Sequence, residues 1–454
     1  MDFQQLSRNH NGMDTIGYKQ DISVFRDELQ KARVNYAINF AELKKRRELE
    51  ARSRNSGINA VKTKLSQVKN KLYQVLTTTK QRQRQEQLHP PQQVTFNHHP
   101  YHIKLNVTES ANRKRVLHAI PTFSTGGSQQ LVVDIIENLS DEYEHFVIIA
   151  RKRGPLGYIG IPIELMDVHS VNCAQDISQH LQLIQPHFVH IHFWATTENV
   201  TDWYWYHLVF QEVFKLRIPV IQNCNNPTFP YFDKQIIHNV FVSNYAKSVF
   251  GLSAPNCTVV YPGSNFDKFK SDEGYVPGQT VGMVYRLEKD KLNEQSIEPF
   301  IETIKKRPGT RALIVGGGTL YNTYKRRVEE EGLSAAFEFT GYVPYDELPA
   351  YYKRISIFVA PVHQESFGQV TPFAMNMGIP VAGYNIGALP EILADQTLLA
   401  EPGNSDQLSD ILVNLLDDKH RMKKISEFNK ERAGKYFSLE TMISAYREIY
   451  RTIL

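Results

Sequence analysis

Cysteine is scarce: Cys173, Cys224 and Cys257 are the three in 454 residues, an odd number at wide spacings with no Cys-x-x-Cys. That excludes a disulfide framework and a cysteine zinc site, and points to a reducing compartment. Long apolar runs are lacking too, and none reaches the ~18 residues that a spanning helix needs. The first 30 residues show no basic start, apolar stretch and small-residue cleavage site. The expectation is a cytoplasmic protein, peripheral at most to the inner face of a membrane. With 41% hydrophobic and 22% charged residues the chain is neither wholly disordered nor collagen-like, and it is too long for one ordinary domain.

The net charge of +4 is small because it sums unlike parts. Residues 1–100 hold 18 Lys+Arg against 9 Asp+Glu, a net +9, which leaves −5 for residues 101–454. In the basic part, Val61, Leu65, Val68, Leu72 and Val75 recur at alternating steps of four and three, the heptad spacing that lines one face of a helix. A less regular helical stretch covers 22–49, and Ser53-Arg54-Asn55-Ser56-Gly57 suits the turn between the two. Residues 1–76 are therefore expected to form an α-helical, coiled-coil arm, and 77–113, rich in Gln, His and Pro, a linker. So short a seam seldom holds alone; it would pack on the first helix, on a second copy in a homo-oligomer through residues 22–76, or on a partner. Lys44-Lys45-Arg46-Arg47 suits an anionic membrane surface or simply solvent. No base-reading motif accompanies it, so nucleic acid is not an expected partner.

From residue 114 short β-branched runs alternate with helical stretches, the pattern of parallel sheets covered on both faces. Expected strands are 116–120, 146–149, 188–191, 220–221 and 240–242, then a second series at 280–285, 312–315, 337–339, 355–360 and 380–382. The fold class is α/β, with two doubly wound, Rossmann-like domains at 114–252 and 253–436 and a terminal helix at 437–454. A ligand would sit in the cleft between them, at the carboxyl ends of the strands. Several features fall at such ends. Gly126-Gly127 precedes an amphipathic helix at 129–139, where free amides suit a phosphate or a sugar hydroxyl, although a Gly-Gly turn taken alone is more often only a turn. Arg286 and Lys291 are a planar guanidinium and a point charge fit to neutralise a leaving diphosphate, or else solvated surface charge. Glu365, near Gly368, is a ligand or a helix cap. Leu313 to Gly318 runs a strand into glycines but lacks the spacing and the acidic residue of a dinucleotide site.

In order, these positions resemble the retaining nucleotide-sugar glycosyltransferases of family 4, which have the GT-B arrangement of two facing Rossmann-like domains. The resemblance covers roughly residues 115–454. It rests on Gly126-Gly127, Val189-His190-Ile191-His192, Val242-Ser243, Val260-Tyr261-Pro262-Gly263, Arg286-Leu287 with Lys291, the strand into Gly316, Gly341-Tyr342-Val343-Pro344, Glu365-Ser366-Phe367-Gly368, Gly378-Ile379-Pro380-Val381 and Gly387-Ala388-Leu389-Pro390-Glu391. The family implies that Arg286 and Lys291 hold the donor diphosphate and that Glu365 accepts hydrogen bonds from the donor sugar, these three being the catalytic set. Gly126, Gly127, Gly316, Gly341, Tyr342, Val343, Ser366, Phe367, Gly368 and Gln369 would border the donor. His192, Trp194 and Asn225 would touch the acceptor or the sugar. No metal and no cofactor beyond the nucleotide diphosphate sugar are implied, and retention is thought to come from the leaving phosphate taking the acceptor's proton on the face where the bond breaks.

The chain departs from the family at three places. Phe373 stands where a second glutamate usually contacts ribose, Tyr285 where a glycine precedes the diphosphate arginine, and Asn225 where a histidine is usual. All three tryptophans, Trp194, Trp203 and Trp205, fall within twelve positions, with Tyr204 and Tyr206, and suit sugar stacking, the lipid interface or a buried helix face. The expectation is an enzyme, a hexosyltransferase-like transferase serving polysaccharide or glycoconjugate biosynthesis with a glycan, lipid-linked or protein acceptor. The departures keep open a catalytically inactive GT-B protein that acts as a scaffold through its arm, and a nucleotide-sugar epimerase is a third reading.

Overall fold

The computed structural model describes residues 101–102, 113–123, 127–151, 158–159, 163–195, 200–225, 230–231, 233–251, 256–270 and 278–454. The expected arm (1–76), all but three residues of the expected linker (77–113) and Gly126 lie outside the described residues. The chain runs β1 (Tyr101–His102), β2 (Lys114–Ala119), α1 (Gly127–Leu139), β3 (Tyr143–Ile149), β4 (Tyr158–Ile159), β5 (Ile163–Leu165), α2 (Cys173–Ile184), β6 (Phe188–Phe193), α3 (Val200–Lys215), β7 (Val220–Cys224), β8 (Ile236–Phe241), α4 (Asn244–Phe250) and β9 (Cys257–Val259). It continues through β10 (Thr280–Val284), α5 (Glu298–Lys306), β11 (Arg311–Val315), α6 (Tyr321–Glu330), β12 (Phe337–Gly341), α7 (Leu348–Tyr352), β13 (Ile357–Ala360), α8 (Val370–Asn376), β14 (Val381–Tyr384), α9 (Leu389–Leu393), β15 (Leu399–Ala400), α10 (Ser405–Asp417), α11 (Lys419–Tyr436) and α12 (Leu439–Ile453).

Two parallel sheets result, in the orders β5-β3-β2-β6-β7-β8-β9 and β12-β11-β10-β13-β14-β15, with a separate β1-β4 pair. Each order reverses once, between β2 and β6 and between β10 and β13, and these reversals are where doubly wound sheets open a crevice for ligands. Both sheets belong to one compact unit of Pro100–Met166, Ile177–Trp194 and Val209–Leu454; Asp167–Asp176 and Ala195–Leu208 cluster in another. The strands are nearly continuous apolar runs because both faces are covered, and every residue of β6 is buried. On α1, Leu131, Val132, Ile135, Ile136 and Leu139 are buried while Glu137 and Asn138 face out, the helical spacing of one apolar stripe.

The expected border at 252/253 is corrected by β9, which pairs with β8 and so extends the first sheet to Val259. At three residues β9, like β5, is too short for its periodicity to show in the sequence. After α11 the chain returns to the first domain. Met442, Ile443, Tyr446, Ile449 and Tyr450 of α12 pack with Val116, Leu131, Ile135, Leu139, Phe188, Ile221 and Val240.

Asp134 is buried on α1, where it accepts a hydrogen bond from Gln130 Nε2 at 2.7 Å. Burial pushes its carboxyl up to about 7, and Glu137 adds to the rise. A raised folded-state value means that the native protein holds this proton longer than the unfolded chain does. The stabilisation is complete below about pH 4, the ordinary carboxyl range, and is lost as pH rises through 7. Asp134→Asn should therefore gain stability relative to wild type on going from pH 5 to pH 8. Thermal unfolding at the two pH values checks this, and parallel curves would refute it.

Candidate active site

The candidate site lies where the second sheet reverses order. After β10 the chain turns over Gly316: the Tyr285 amide donates to Val315 O at 3.0 Å, and the Leu287 amide to Gly317 O at 2.9 Å. Gly316 has φ +133, and a β-carbon there would fall 1.8 Å from Tyr285 O, so only glycine lets the two loops cross. This crossing sends Arg286 and Lys291 over the sheet edge. The loop after β13 arrives beside them and is tied down by His363 N donating to Lys291 O (3.0 Å) and Ala388 N donating to Glu365 O (3.1 Å).

Lys291 Nζ donates to both oxygens of Glu365, at 2.8 and 3.0 Å. The Glu365 side chain is 2% exposed and that of Lys291 36%, so the carboxylate is buried against a cation that still reaches solvent. Phe367 N also donates to Glu365 Oε1, at 3.3 Å. Gly368 (φ +78) is required because a β-carbon would come 2.6 Å from Glu365 Oε2. Arg286 is 73% exposed and pairs with Asp290 at 2.7 Å, leaving the rest of its fork open to a ligand. Burial, and after it the Glu365 carboxylate, raises the Tyr285 phenol far above its ordinary value, so this ring is a neutral wall.

Together these groups line a cavity of about 410 Å³ that also takes in Gly127 and Ser128 of the first domain, Asn225, and Ser366, Phe367, Gly368 and Gln369. Gly127 opens α1, where an added β-carbon would lie 3.3 Å from Gln369 Oε1. Glycine thus keeps the helix start close to the facing loop. Asn225 hydrogen-bonds Asn223 through its oxygen, while its Nδ2 is buried with no partner and is a donor available to a ligand. A larger depression of about 620 Å³ runs along α12. Its two arginines, Arg447 and Arg451, are already paired with Glu142, so it offers less chemistry.

Most of the residues expected from sequence meet here, but not all. Gly316, Gly341, Tyr342 and Val343 come together at the ends of β11 and β12, with Gly316 N donating to Gly341 O at 3.0 Å. They adjoin the Tyr285 loop and are not among the residues lining the cavity. His192 is corrected: it is fully buried on β6, packed against His118 and His190, and is not among the residues lining the cavity. Trp194 is half-buried against the cluster of Ile120, Phe123 and Val147, away from the cavity lining. Trp205 and Tyr206 are wholly buried on α3, which is the core reading of the aromatic run. Phe373 on α8 stacks on Phe269, ring centroids 3.9 Å apart, with Phe266 and Tyr345 edge-on. An apolar cluster therefore fills the place of the family's second glutamate.

Sequence reasoning gave Glu391 no role. Its carboxylate accepts from the amides of Asn244 and Tyr245 and from the Tyr261 hydroxyl, each at 2.9 Å, and so links α9 of the second domain to α4 of the first. The run Gly387-Ala388-Leu389-Pro390-Glu391 marked its position but not its role, because its partners lie some 130 to 147 positions away.

Two facing parallel-sheet domains with this cavity define the GT-B fold. HepE of Anabaena, crystallised with UDP, superposes with a TM-score of 0.62 at 17% identity, covering 75% of this chain and 100% of that one. A glycosyltransferase from Rickettsia africae superposes with a TM-score of 0.61 at 19% identity, covering 75% and 99%. Residues 266–432 match the family model described as glycosyl transferases group 1. An uncharacterized glycosyltransferase of Methanocaldococcus jannaschii is 28% identical over 230 residues, 49% of this chain and 63% of its own length. The GDP-mannose-dependent alpha-(1-6)-phosphatidylinositol monomannoside mannosyltransferase of Mycobacterium tuberculosis is 28% identical over 234 residues, 46% and 60%. The chain thus spans less than two thirds of the length of these curated relatives. Among the described residues no helix is long and apolar enough to cross a membrane.

Proposed function

We propose that the protein is a retaining glycosyltransferase that moves a sugar from a nucleotide diphosphate sugar to a glycan, lipid-linked or protein acceptor. The observation that carries this reading is the Arg286, Lys291 and Glu365 set at the reversal point of the second sheet, facing Gly127 across one cavity. Arg286 and Lys291 stabilise the diphosphate as it leaves. Glu365, fixed by Lys291 and the Phe367 amide, accepts hydrogen bonds from hydroxyls of the donor sugar, and Asn225 Nδ2 donates to the sugar or the acceptor. Positioning and electrostatic stabilisation carry the step, and the leaving phosphate takes the acceptor's proton. No metal is invoked at this site. The sequence of residues 22–76 would supply self-association or attachment to a membrane surface.

Phe373 favours a second reading, an inactive GT-B scaffold, because no carboxylate stands at its place to hold a ribose. A thermal-shift panel of UDP, GDP and their sugar conjugates separates the two. A ligand at 100 times its dissociation constant adds about 2.7 kcal/mol to stability. An upward shift with one nucleotide, followed by transfer of labelled sugar, is the expected result. No shift with any of them would leave the scaffold standing.

A further inference from the structure

The first sheet holds a second polar cluster that the transferase reading does not use. His118 on β2, His145 on β3, and His190 and His192 on β6 project from one face: His118 pairs in register with His190, and the two-residue repeat of a strand carries His192 to the same side. Parallel strands buried on both faces are ordinarily apolar. Here four imidazoles lie side by side, His190 against Tyr446 and Tyr450 of α12, and three of them have no exposed surface at all.

Their geometry is convergent. His118 Nδ1 and His192 Nε2 are 3.0 Å apart, and ligand nitrogens of His118, His190 and His192 all lie within 4.8 Å of one another. Two nitrogens bonded to one zinc at 2.0–2.1 Å in tetrahedral geometry would stand about 3.3 Å apart. The remaining nitrogens of two of these rings are held from behind: His118 Nε2 by His145 Nδ1 at 2.9 Å, and His190 Nδ1 by the Tyr450 hydroxyl at 2.7 Å. Ligating histidines are usually held in this way, their second ring nitrogen fixing tautomer and orientation. His190 Nε2 is buried beside the Asn223 amide without a well-formed hydrogen bond, a position that a bound cation would fill.

We propose that His118, His190 and His192 form a divalent transition-metal site of zinc type inside the first domain, with His145 and Tyr450 as positioning residues. A set of three imidazole nitrogens suits zinc, and by the general affinity order cobalt, nickel and copper, over magnesium or calcium. An enclosed water would take the fourth tetrahedral position, and because the three rings have no exposed surface the site's role is structural. It joins β2 to β6 at the reversal of the sheet and, through Tyr450, fastens α12.

The test uses the full chain without an affinity tag, after dialysis. Elemental analysis should find about one zinc per chain. A strong chelator should lower the thermal midpoint, and Zn²⁺ but not Mg²⁺ should restore it. Replacement by Co²⁺ should give the intense visible absorption of a tetrahedral site. His192→Gln should abolish the stoichiometric metal, and His145→Gln should weaken it 10- to 100-fold. The chain has 16 histidines, so metal retained equally by wild type and His192→Gln would place binding elsewhere and overturn the proposal. If His192→Gln fails to fold, the wild-type cobalt spectrum decides: a weak octahedral band, or none, overturns it. Metal-free protein that responds to none of these ions would show the cluster to be a hydrogen-bonded histidine stack.

Discussion

Lys291→Ala should lose both activity and stability. Turnover is expected to fall on the order of 10²- to 10³-fold, the usual effect of removing one group that stabilises developing charge. The same change leaves the Glu365 carboxylate, 2% exposed, without the cation that contacts both of its oxygens. An unmatched buried acceptor costs about 1–3 kcal/mol, with the lower end expected here because Lys291 itself reaches solvent. Adding Glu365→Gln removes the orphaned charge, so the double variant should regain much of the stability and none of the turnover. Urea unfolding and donor turnover on the three proteins test the pair. A double variant as unstable as Lys291→Ala, or near-wild-type turnover in Lys291→Ala, would break the assignment.

Arg286→Ala should separate the same two quantities. Its guanidinium is 73% exposed and its partner Asp290 is 50% exposed, so the ion pair contributes little to folding and stability should stay within about 0.5 kcal/mol. Turnover should drop at least 10²-fold, because among the described residues no other guanidinium lines the cavity and Lys291 is held by Glu365. Arg286→Lys should recover only part of it, a point charge lacking the planar geometry that grips two phosphate oxygens. Unchanged turnover in Arg286→Ala would remove the diphosphate from this end of the cavity.

The sheets were legible because a strand covered on both faces must be apolar along its whole length, and the ten expected strands all correspond to observed ones. The two- and three-residue strands β5, β9 and β15 carry no such run. At the site, Arg286, Lys291 and Glu365 could be read from charges standing just past strand ends, where doubly wound sheets expose their loops. His192 also follows an apolar run, but its strand continues one residue further and its ring packs on His190, which Tyr450 of the last helix covers. Nothing local in the sequence announces a cover supplied from 250 positions away. The role of Glu391 was hidden for the same reason, since its partners are set by how the chain folds back. Trp205 and Tyr206 show the limit of composition: aromatic rings packed inside a helix face and rings waiting for a sugar have the same letters.

The return of α12 to the first sheet bears on how the protein is made. Strands β2 to β9 are complete once residue 259 has emerged, yet the side chains that close over them come from residues 442 to 450. At roughly 5–20 residues per second, ribosomes leave this apolar face open for about 10–40 s while the second domain is synthesised. The N-terminal half is therefore the later of the two to finish folding, against the usual order of synthesis. A stop codon just after Tyr436 would leave the second sheet intact and the first one uncapped, a product suited to capture by chaperones or proteases.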